Sequence, residues 1–167
     1  MGLYWTHKDT EDKERRTAHP FENMVAKGNM FYPYPHLEVV AAVVVKDGQY
    51  LCMQRGESKY IYTSHKWEFP GGKIEKGETQ QEALKRELLE EMNYPVEVGV
   101  KLVTVTHCYP DFQITMHAFL CKPLAENFEQ KEHIAHQWRS ADQLANLDWA
   151  AADQPIVHAL LRHQAQP

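Results

Sequence analysis

Cysteine is scarce in this chain of 167 residues: Cys52, Cys108 and Cys121 are the only ones, and none belongs to a CxxC pair. An odd number of widely spaced thiols argues against a disulfide framework and is typical of reduced cysteines in a cytoplasmic protein. The sequence also lacks a signal-peptide h-region and any apolar run long enough to span a bilayer. We therefore expect a cytoplasmic protein that makes no use of a membrane.

Positive charge is also in short supply, because 23 acidic residues outnumber 18 basic ones and the formal net charge is -5. This balance argues against the broad basic surface with which proteins hold DNA or RNA. A nucleotide would instead be bound locally, by a metal ion and a few basic side chains. Repeats and low-complexity tracts are absent, and 43% hydrophobic content is enough for one sizeable core.

The first 35 residues differ from the rest, being first densely charged and then rich in aromatic residues and proline. They show no catalytic pattern. We expect residues 1–35 to form an N-terminal arm, either partly disordered on the surface or docked through its aromatic side chains on the domain or on a second subunit. Residues 36–167 are expected to form the functional domain.

Hydrophobic periodicity and turn residues divide that domain into strands and helices. The predicted strands are 37–45, 49–55, 67–69, 96–109, 112–121 and 137–139, and the predicted helices are 80–92, 141–147 and 154–164. Asp47 and Gly48 should close a hairpin between the first two strands, and Pro110 with Asp111 should turn the chain between a later antiparallel pair. This order predicts a mixed sheet between helices, an α/β/α sandwich.

The helix predicted over residues 80–92 carries the chemistry. Thr79 and Glu82 have the spacing of a capping box, and Asn93 tolerates the left-handed conformation that ends a helix. Three further acidic residues, Glu87, Glu90 and Glu91, have the spacing i, i+3 and i+4, which brings their carboxylates onto one face.

Carboxylates this close repel one another and call for a cation. Oxygen ligands with no Cys or His nearby suit a hard divalent ion, Mg²⁺ or Mn²⁺, which shares its coordination with phosphate oxygens. Leu84, Leu88 and Met92 lie on an adjacent strip that should pack on the core. We therefore expect the metal face and the core face of the helix to be distinct.

The spacing of these residues resembles the Nudix box. The matching positions are Gly72, Glu78, Arg86, Glu87, Leu88, Glu90 and Glu91, and Asn93 stands where the family usually has glycine. The resemblance covers residues 36 to about 165 and implies the same sandwich fold. It also implies hydrolysis of a nucleoside diphosphate linked to another group, by water and with divalent metal. A solvated acidic helix face is the structural alternative for this run of charge.

The resemblance also implies roles for individual residues. Glu87, Glu90 and Glu91 would hold Mg²⁺ and act in catalysis, with the carbonyl of Gly71 as a further ligand. Glu132 matches a loop carboxylate that serves as an extra metal ligand or base, although a solvated loop residue is the alternative. A structural role is expected for three more residues of the box, Gly72, Glu78 and Arg86, the last two as a brace between loop and helix.

Residues around the box resemble the MutT-type branch, which cleaves nucleoside triphosphates to monophosphate and pyrophosphate. Arg55 would bind phosphates, unless it is an ordinary surface arginine, and Lys73 is a second basic residue expected to bind substrate. Asp153 matches the position that reads the base, but it would also suit the start of the last helix. Phe112 would either stack on a base or pack in the core.

Asp153 bears on the choice of base. An ionised Asp only accepts hydrogen bonds, which favours a base edge rich in donors such as the cytosine amino group, whereas a protonated Asp in an apolar pocket could donate to an oxidised purine. The favoured hypothesis is a Mg²⁺-dependent nucleoside triphosphate pyrophosphohydrolase, a monomer or homodimer, that clears unwanted nucleotides. The alternatives are hydrolysis of a conjugate such as ADP-ribose, and a non-catalytic nucleotide-binding module.

Overall fold

A computed structural model describes residues 34–164. The predicted arm therefore lies outside the described residues, apart from its last two. The strands are β1 (His36–Lys46), β2 (Gln49–Gln54), β3 (Trp67–Glu68), β4 (Gly71–Lys73), β5 (Val96–Cys108), β6 (Gln113–Pro123) and β7 (Ala135–Arg139). The helices are α1 (Gln80–Met92), α2 (Ala141–Leu144) and α3 (Gln154–Gln164). Within these residues no helix is both long and apolar enough to cross a membrane.

The strands form one mixed sheet in the order β3-β2-β1-β6-β5, with β4 paired to β1 and β7 paired to β2. Strands β1 and β6 run parallel, and the other pairs are antiparallel. Residues 39–44 of β1 are buried on both faces of the sheet, as their continuous apolar run predicts. One core lies beneath α1 and the other packs against α2 and α3, so the predicted α/β/α sandwich is confirmed.

Helix α1 begins and ends where the sequence predicts. Thr79 accepts a hydrogen bond from the backbone of Glu82, whose side chain bonds back to the Thr79 backbone, so the capping box is complete. Asn93 ends the helix in the left-handed conformation, with φ of 47°. The strip that was expected to face the core does so, because Leu84, Leu88 and Met92 are all buried.

Asn93 offers a direct test of this helix end. We expect Asn93→Ala to lower the free energy of unfolding by about 1–2 kcal/mol, because alanine bears the full steric cost of a left-handed backbone. Asn93→Gly removes that cost but also the 3.0 Å hydrogen bond from Asn93 Nδ2 to Glu129 Oε1, so its stability should lie nearer the wild type. Urea unfolding measures both, and equal destabilisation by the two substitutions would contradict this explanation.

The structure differs from the predicted elements at two places. Gly71 and Gly72 lie outside the predicted strands, but they begin β4, which pairs with Val40 and Ala41 of β1. Helix α2 ends at Leu144 rather than near residue 147. The indole nitrogen of Trp149 donates a 2.7 Å hydrogen bond to the carbonyl of Leu144, which helps to satisfy the helix terminus and turns the chain away.

Candidate active site

The three acidic side chains of α1 differ sharply in exposure. The side chain of Glu90 is 60% exposed and that of Glu87 is 12% exposed, whereas Glu91 is only 7% exposed as a residue. Because Glu91 is buried beside the core strip, the metal face and the core face are less separate than the sequence suggests.

Glu87 and Glu91 lie close enough for their carboxyl groups to share a hydrogen bond. Burial raises the pKa of Glu87, and the nearby charge of Glu90 adds to the effect, although Arg86 opposes it. Two buried carboxylates in contact cannot both ionise without a compensating cation. This donor set therefore fits a hard divalent ion.

Gly72 forms the wall opposite Glu87. A Cβ atom at this position would overlap the carboxylate of Glu87, so any residue larger than glycine would displace that side chain. At Gly71 a Cβ atom would overlap the carbonyl oxygen of Val40. Both glycines therefore let a strand backbone approach the carboxylates and β1 closely.

Arg86 holds the carboxylate helix against the loop that precedes it. Its Nε atom donates to Glu78 Oε2 at 3.0 Å, and its Nη2 atom donates to the carbonyl of Lys73 at 3.0 Å. On the other side, Nη1 lies 2.9 Å from Glu87 Oε1 and 3.2 Å from Glu90 Oε2. These contacts support the predicted brace and show that Arg86 also orients two of the three predicted metal ligands.

The segment that carries Glu132 crosses the C-terminal end of α1. The backbone N–H of Glu129 donates to the carbonyl of Met92 at 2.8 Å, and Lys131 Nζ donates to the carbonyl of Glu90 at 3.4 Å. Glu132 is exposed and follows directly, so the fold brings this residue near the end of the helix where Glu90 and Glu91 lie.

A narrow recess of about 10 Å³ lies beside Glu68 of β3 and has room for about one water molecule. Its lining residues are Arg55, Thr63, Glu68, Tyr109, Ile114, Met116, Ala150, Ala152 and Asp153. Sites for small molecules are commonly about 300–1,000 Å³, so the recess as it stands is too small for a base, which could enter only if the walls moved apart. Two residues predicted to bind substrate, Arg55 and Asp153, meet here.

A buried ion pair organises one wall of the recess. Arg55 donates to Glu68 Oε2 through Nε at 3.2 Å and Nη2 at 2.9 Å, and His133 Nε2 lies 2.9 Å from Glu68 Oε1. Burial alone would raise the pKa of Glu68, but Arg55 and His133 together lower it to about 2. Arg55 is therefore not an ordinary surface residue, although its predicted contact with phosphates remains a prediction.

The sequence analysis missed Glu68 and His133. A signal for Glu68 was present, because a carboxylate between Trp67 and Phe69 in an apolar strand must be buried and therefore needs partners. No local pattern identifies His133 as that partner, because it lies 65 positions away in the chain.

Asp153 is buried at the base of α3 and faces the recess. Its Oδ1 atom accepts a 2.9 Å hydrogen bond from the backbone N–H of Phe69, so this side-chain contact is with the segment before β4 rather than with the helix. Burial, followed by the charge of Glu68, raises the pKa of Asp153 well above its usual range. A neutral carboxyl group can donate as well as accept a hydrogen bond.

The raised pKa of Asp153 predicts a pH-dependent effect of Asp153→Asn. An acid whose pKa is higher in the folded state stabilises the fold fully below its unfolded pKa of about 3.9, and this contribution is lost as the pH rises through the folded pKa. The asparagine side chain does not titrate, and its oxygen can still accept the hydrogen bond from the backbone N–H of Phe69. The stability of the variant relative to wild type should therefore increase as the pH rises above about 3.9, as measured by urea unfolding. A constant difference would contradict the raised pKa.

Phe112 lies in the core rather than in the recess. It is 1% exposed, and its ring centroid lies 4.8 Å from that of Tyr109 and 5.6 Å from that of Tyr60. The expectation that it packs in the core is therefore the one that the structure supports. The structure does not support the predicted stacking of Phe112 on a base, because its ring is already covered by other side chains.

A mixed-sheet sandwich with a carboxylate helix, a glycine-rich strand facing it and a neighbouring recess defines a class of metal-dependent hydrolases. The chain belongs to the Nudix family: the family model for the NUDIX domain matches residues 39–159. The predicted family, its MutT-like branch and its fold are thereby confirmed, and the chain is a Nudix hydrolase. Hydrolases of this family generally use a divalent metal ion.

Two curated relatives are similar over most of the domain. The chain is 33% identical to the CTP pyrophosphohydrolase of Escherichia coli K12 over 129 residues, which cover 77% of this chain and 94% of that protein. It is 33% identical to an 8-oxo-dGTP diphosphatase of Buchnera aphidicola over 102 residues, which cover 61% of this chain and 82% of that one. The solved structure of the Escherichia coli ORF135 protein is also similar, with a TM-score of 0.65, 30% identity, and coverage of 83% and 99%.

Proposed function

We propose that the chain hydrolyses nucleoside triphosphates to monophosphate and pyrophosphate with the help of Mg²⁺. The segment from Glu68 to Gly72 carries this proposal. Glu68 lines the recess, and Gly72 lies against the carboxylate of Glu87. Four residue steps span at most about 14 Å, so one short segment joins the recess, which would open to admit a base, with carboxylates suited to a metal and its phosphates.

The box residues have defined tasks in this reaction. Glu87, Glu90 and Glu91 would hold the ion, with the carbonyl of Gly71 as a further ligand. When bound, Mg²⁺ would neutralise phosphate charge and lower the pKa of a coordinated water. Water attacks phosphorus, the anhydride bond between the first and second phosphates breaks, and a carboxylate such as that of Glu132 accepts the proton of the attacking water.

Basic side chains would hold the triphosphate in place. Lys73 is exposed at the end of β4, and its backbone carbonyl is fixed by Arg86. Arg55 lies at the wall of the recess, paired with Glu68. We infer that these two residues bind phosphate oxygens. Because the Arg55 side chain is held in a buried ion pair, it would reach only the phosphates close to the nucleoside.

We further propose a cytosine nucleotide as the favoured substrate. Asp153 has an oxygen that can accept from an exocyclic amino group, which is the group that distinguishes cytosine from uracil. The similarity to a CTP pyrophosphohydrolase over 94% of that protein supports this choice.

The raised pKa of Asp153 supports a second candidate, an oxidised purine nucleotide. A protonated Asp153 could donate to the carbonyl group of such a base while its Oδ1 atom stays bonded to Phe69. The relative named as an 8-oxo-dGTP diphosphatase agrees with this alternative.

Product analysis across a substrate panel tests the proposal. The panel comprises CTP, dCTP, 5-methyl-dCTP, dGTP, 8-oxo-dGTP and ADP-ribose, each assayed with Mg²⁺ and with EDTA. Mg²⁺-dependent release of pyrophosphate, greatest with the cytosine nucleotides, is the expected result. A preference for 8-oxo-dGTP would favour the second candidate. If ADP-ribose alone were cleaved, the substrate class would be a nucleoside diphosphate conjugate and not a nucleoside triphosphate. If no compound were hydrolysed, a non-catalytic binding module would be the remaining interpretation.

A further inference from the structure

His133 is a buried side chain whose role the proposed chemistry does not explain. It is 7% exposed, and its Nε2 atom lies 2.9 Å from Glu68 Oε1. Because an ionised carboxylate only accepts hydrogen bonds, Nε2–H of His133 is the donor. The other oxygen of Glu68 accepts from Arg55, so this carboxylate joins the end of β2 to the segment that precedes β7.

That segment is anchored on both sides of Glu132. On one side, Lys131 Nζ bonds to the carbonyl of Glu90 on the carboxylate helix. On the other side, His133 bonds to Glu68 in the wall of the recess. Adjacent Cα atoms are about 3.8 Å apart, so Glu132 is the single residue between a contact with the proposed metal site and a contact with the proposed base site.

The contact with the helix is the weaker of the two anchors. The Lys131 bond is 3.4 Å long and comes from a flexible side chain, whereas the His133 bond is 2.9 Å long and both of its partners are buried. The backbone N–H of Ile134 also donates to the carbonyl of Gln54 at 3.0 Å, which continues the attachment into the pairing of β7 with β2. The backbone N–H of Glu129, three residues before Glu132, also holds the segment to the carbonyl of Met92 at 2.8 Å, so His133 makes the firmer contact only among the two residues that flank Glu132 directly.

We propose that His133 is a positioning residue, which holds the carboxylate of Glu132 in place for hydrolysis through its hydrogen bond to Glu68. This inference rests on the proposed function, because it assigns Glu132 a part in catalysis. It also gives Glu68 a second task besides its pairing with Arg55. Glu68 is then a single buried group that both lines the recess and, through His133, holds the carboxylate of Glu132 in place.

Three substitutions test the hydrogen bond itself. His133→Leu removes the donor and is expected to lower kcat by about 10- to 100-fold with KM changed less than about threefold. His133→Gln places an amide N–H near the position of Nε2 and should keep kcat within about threefold of wild type. His158→Leu, the same change at an exposed position of α3, is the matched control and should leave kcat unchanged. If His133→Leu melts below the assay temperature, His133→Asn replaces it, since its shorter side chain cannot carry the donor to Glu68.

A double-mutant cycle separates positioning from a merely structural role. In a Glu132→Gln background, His133→Leu should change kcat by less than about twofold, because the carboxylate that it positions is already absent. Losses of equal size in both backgrounds would overturn the proposal. So would a His133→Leu variant with wild-type kcat, or a His133→Gln variant as impaired as His133→Leu.

The assay uses whichever panel nucleotide the wild-type chain cleaves fastest. Failure of the proposed triphosphate substrate would then appear in the wild-type panel, while failure of the positioning role would appear in the ratios between variants.

Discussion

Glutamine in place of Glu91 is expected to lower kcat for pyrophosphate release by about 10²- to 10⁴-fold, because it removes a ligand of an ion whose stabilisation of charge is worth several kcal/mol and each ~1.4 kcal/mol is a factor of ten in rate. Glu91 is buried and its carboxyl group contacts that of Glu87. The nearly isosteric amide keeps the shape of the site but removes a negative charge that the proposed ion requires. In the metal-free protein the amide can still donate a hydrogen bond to Glu87, as the shared proton does in the wild type, so the melting temperature should stay close to the wild-type value.

Glu97→Gln is the matched control for this prediction. Glu97 is exposed on β5 and takes no part in the proposed site, so the same change of charge there should leave kcat unchanged. Steady-state kinetics with saturating Mg²⁺ and a thermal melt of each variant provide the two measurements. A Glu91→Gln enzyme that retained most of the wild-type turnover would contradict the assignment of the carboxylates.

The second large effect is expected from Gly72→Ala, which should lower kcat by about 10²-fold, because a displacement of about 1 Å at a catalytic group can cost that much. The added Cβ atom would overlap the carboxylate of Glu87. Glu87 must then move, and its 2.9 Å contact with Arg86 must change with it. The same change should weaken binding of Mn²⁺, as measured by isothermal titration calorimetry.

The background variant Glu87→Ala provides the control for Gly72→Ala. Once the side chain of Glu87 is shortened, the added methyl group has space. Gly72→Ala should therefore reduce kcat much less in this background than in the wild type. If Gly72→Ala lowered kcat by the same factor in both backgrounds, the glycine would act through the backbone of β4 and not through Glu87.

The predictions that succeeded rest on local signals. The capping box at Thr79 and the left-handed end at Asn93 fix α1 within the sequence itself. The continuous apolar run of β1 identifies a strand buried on both faces, and the turn residues Pro110 and Asp111 identify the antiparallel pairing of β5 with β6. The regular spacing of Glu87 and its neighbours then places the proposed metal ligands, because a formed helix determines which side chains share a face.

The features that the sequence analysis missed depend on contacts between distant residues. Strand β4 is only three residues long, and its pairing with β1 requires Gly71, where a Cβ atom would overlap the carbonyl oxygen of Val40. Helix α2 ends early because of a hydrogen bond from Trp149. Neither requirement can be read from hydrophobic periodicity.

The recess also combines a residue that the local sequence identifies with contacts between distant residues. The sequence singled out Asp153, which lines the recess, but its partner Phe69 lies 84 positions away, and the raised pKa depends on burial and on Glu68. A choice between cytosine and an oxidised purine therefore requires the three-dimensional arrangement of Glu68 and Arg55, which residue type and spacing alone do not provide.

The most direct test of the account is a titration with Mn²⁺ followed by electron paramagnetic resonance, which measures the free ion. Wild-type protein and a variant with glutamine at Glu87, Glu90 and Glu91 would be compared, with a non-hydrolysable cytidine triphosphate analogue present. The account predicts that the wild type binds Mn²⁺ and that the variant, still folded, loses this binding. Equal binding by the two proteins would contradict the central claim that the carboxylates of α1 hold the catalytic metal.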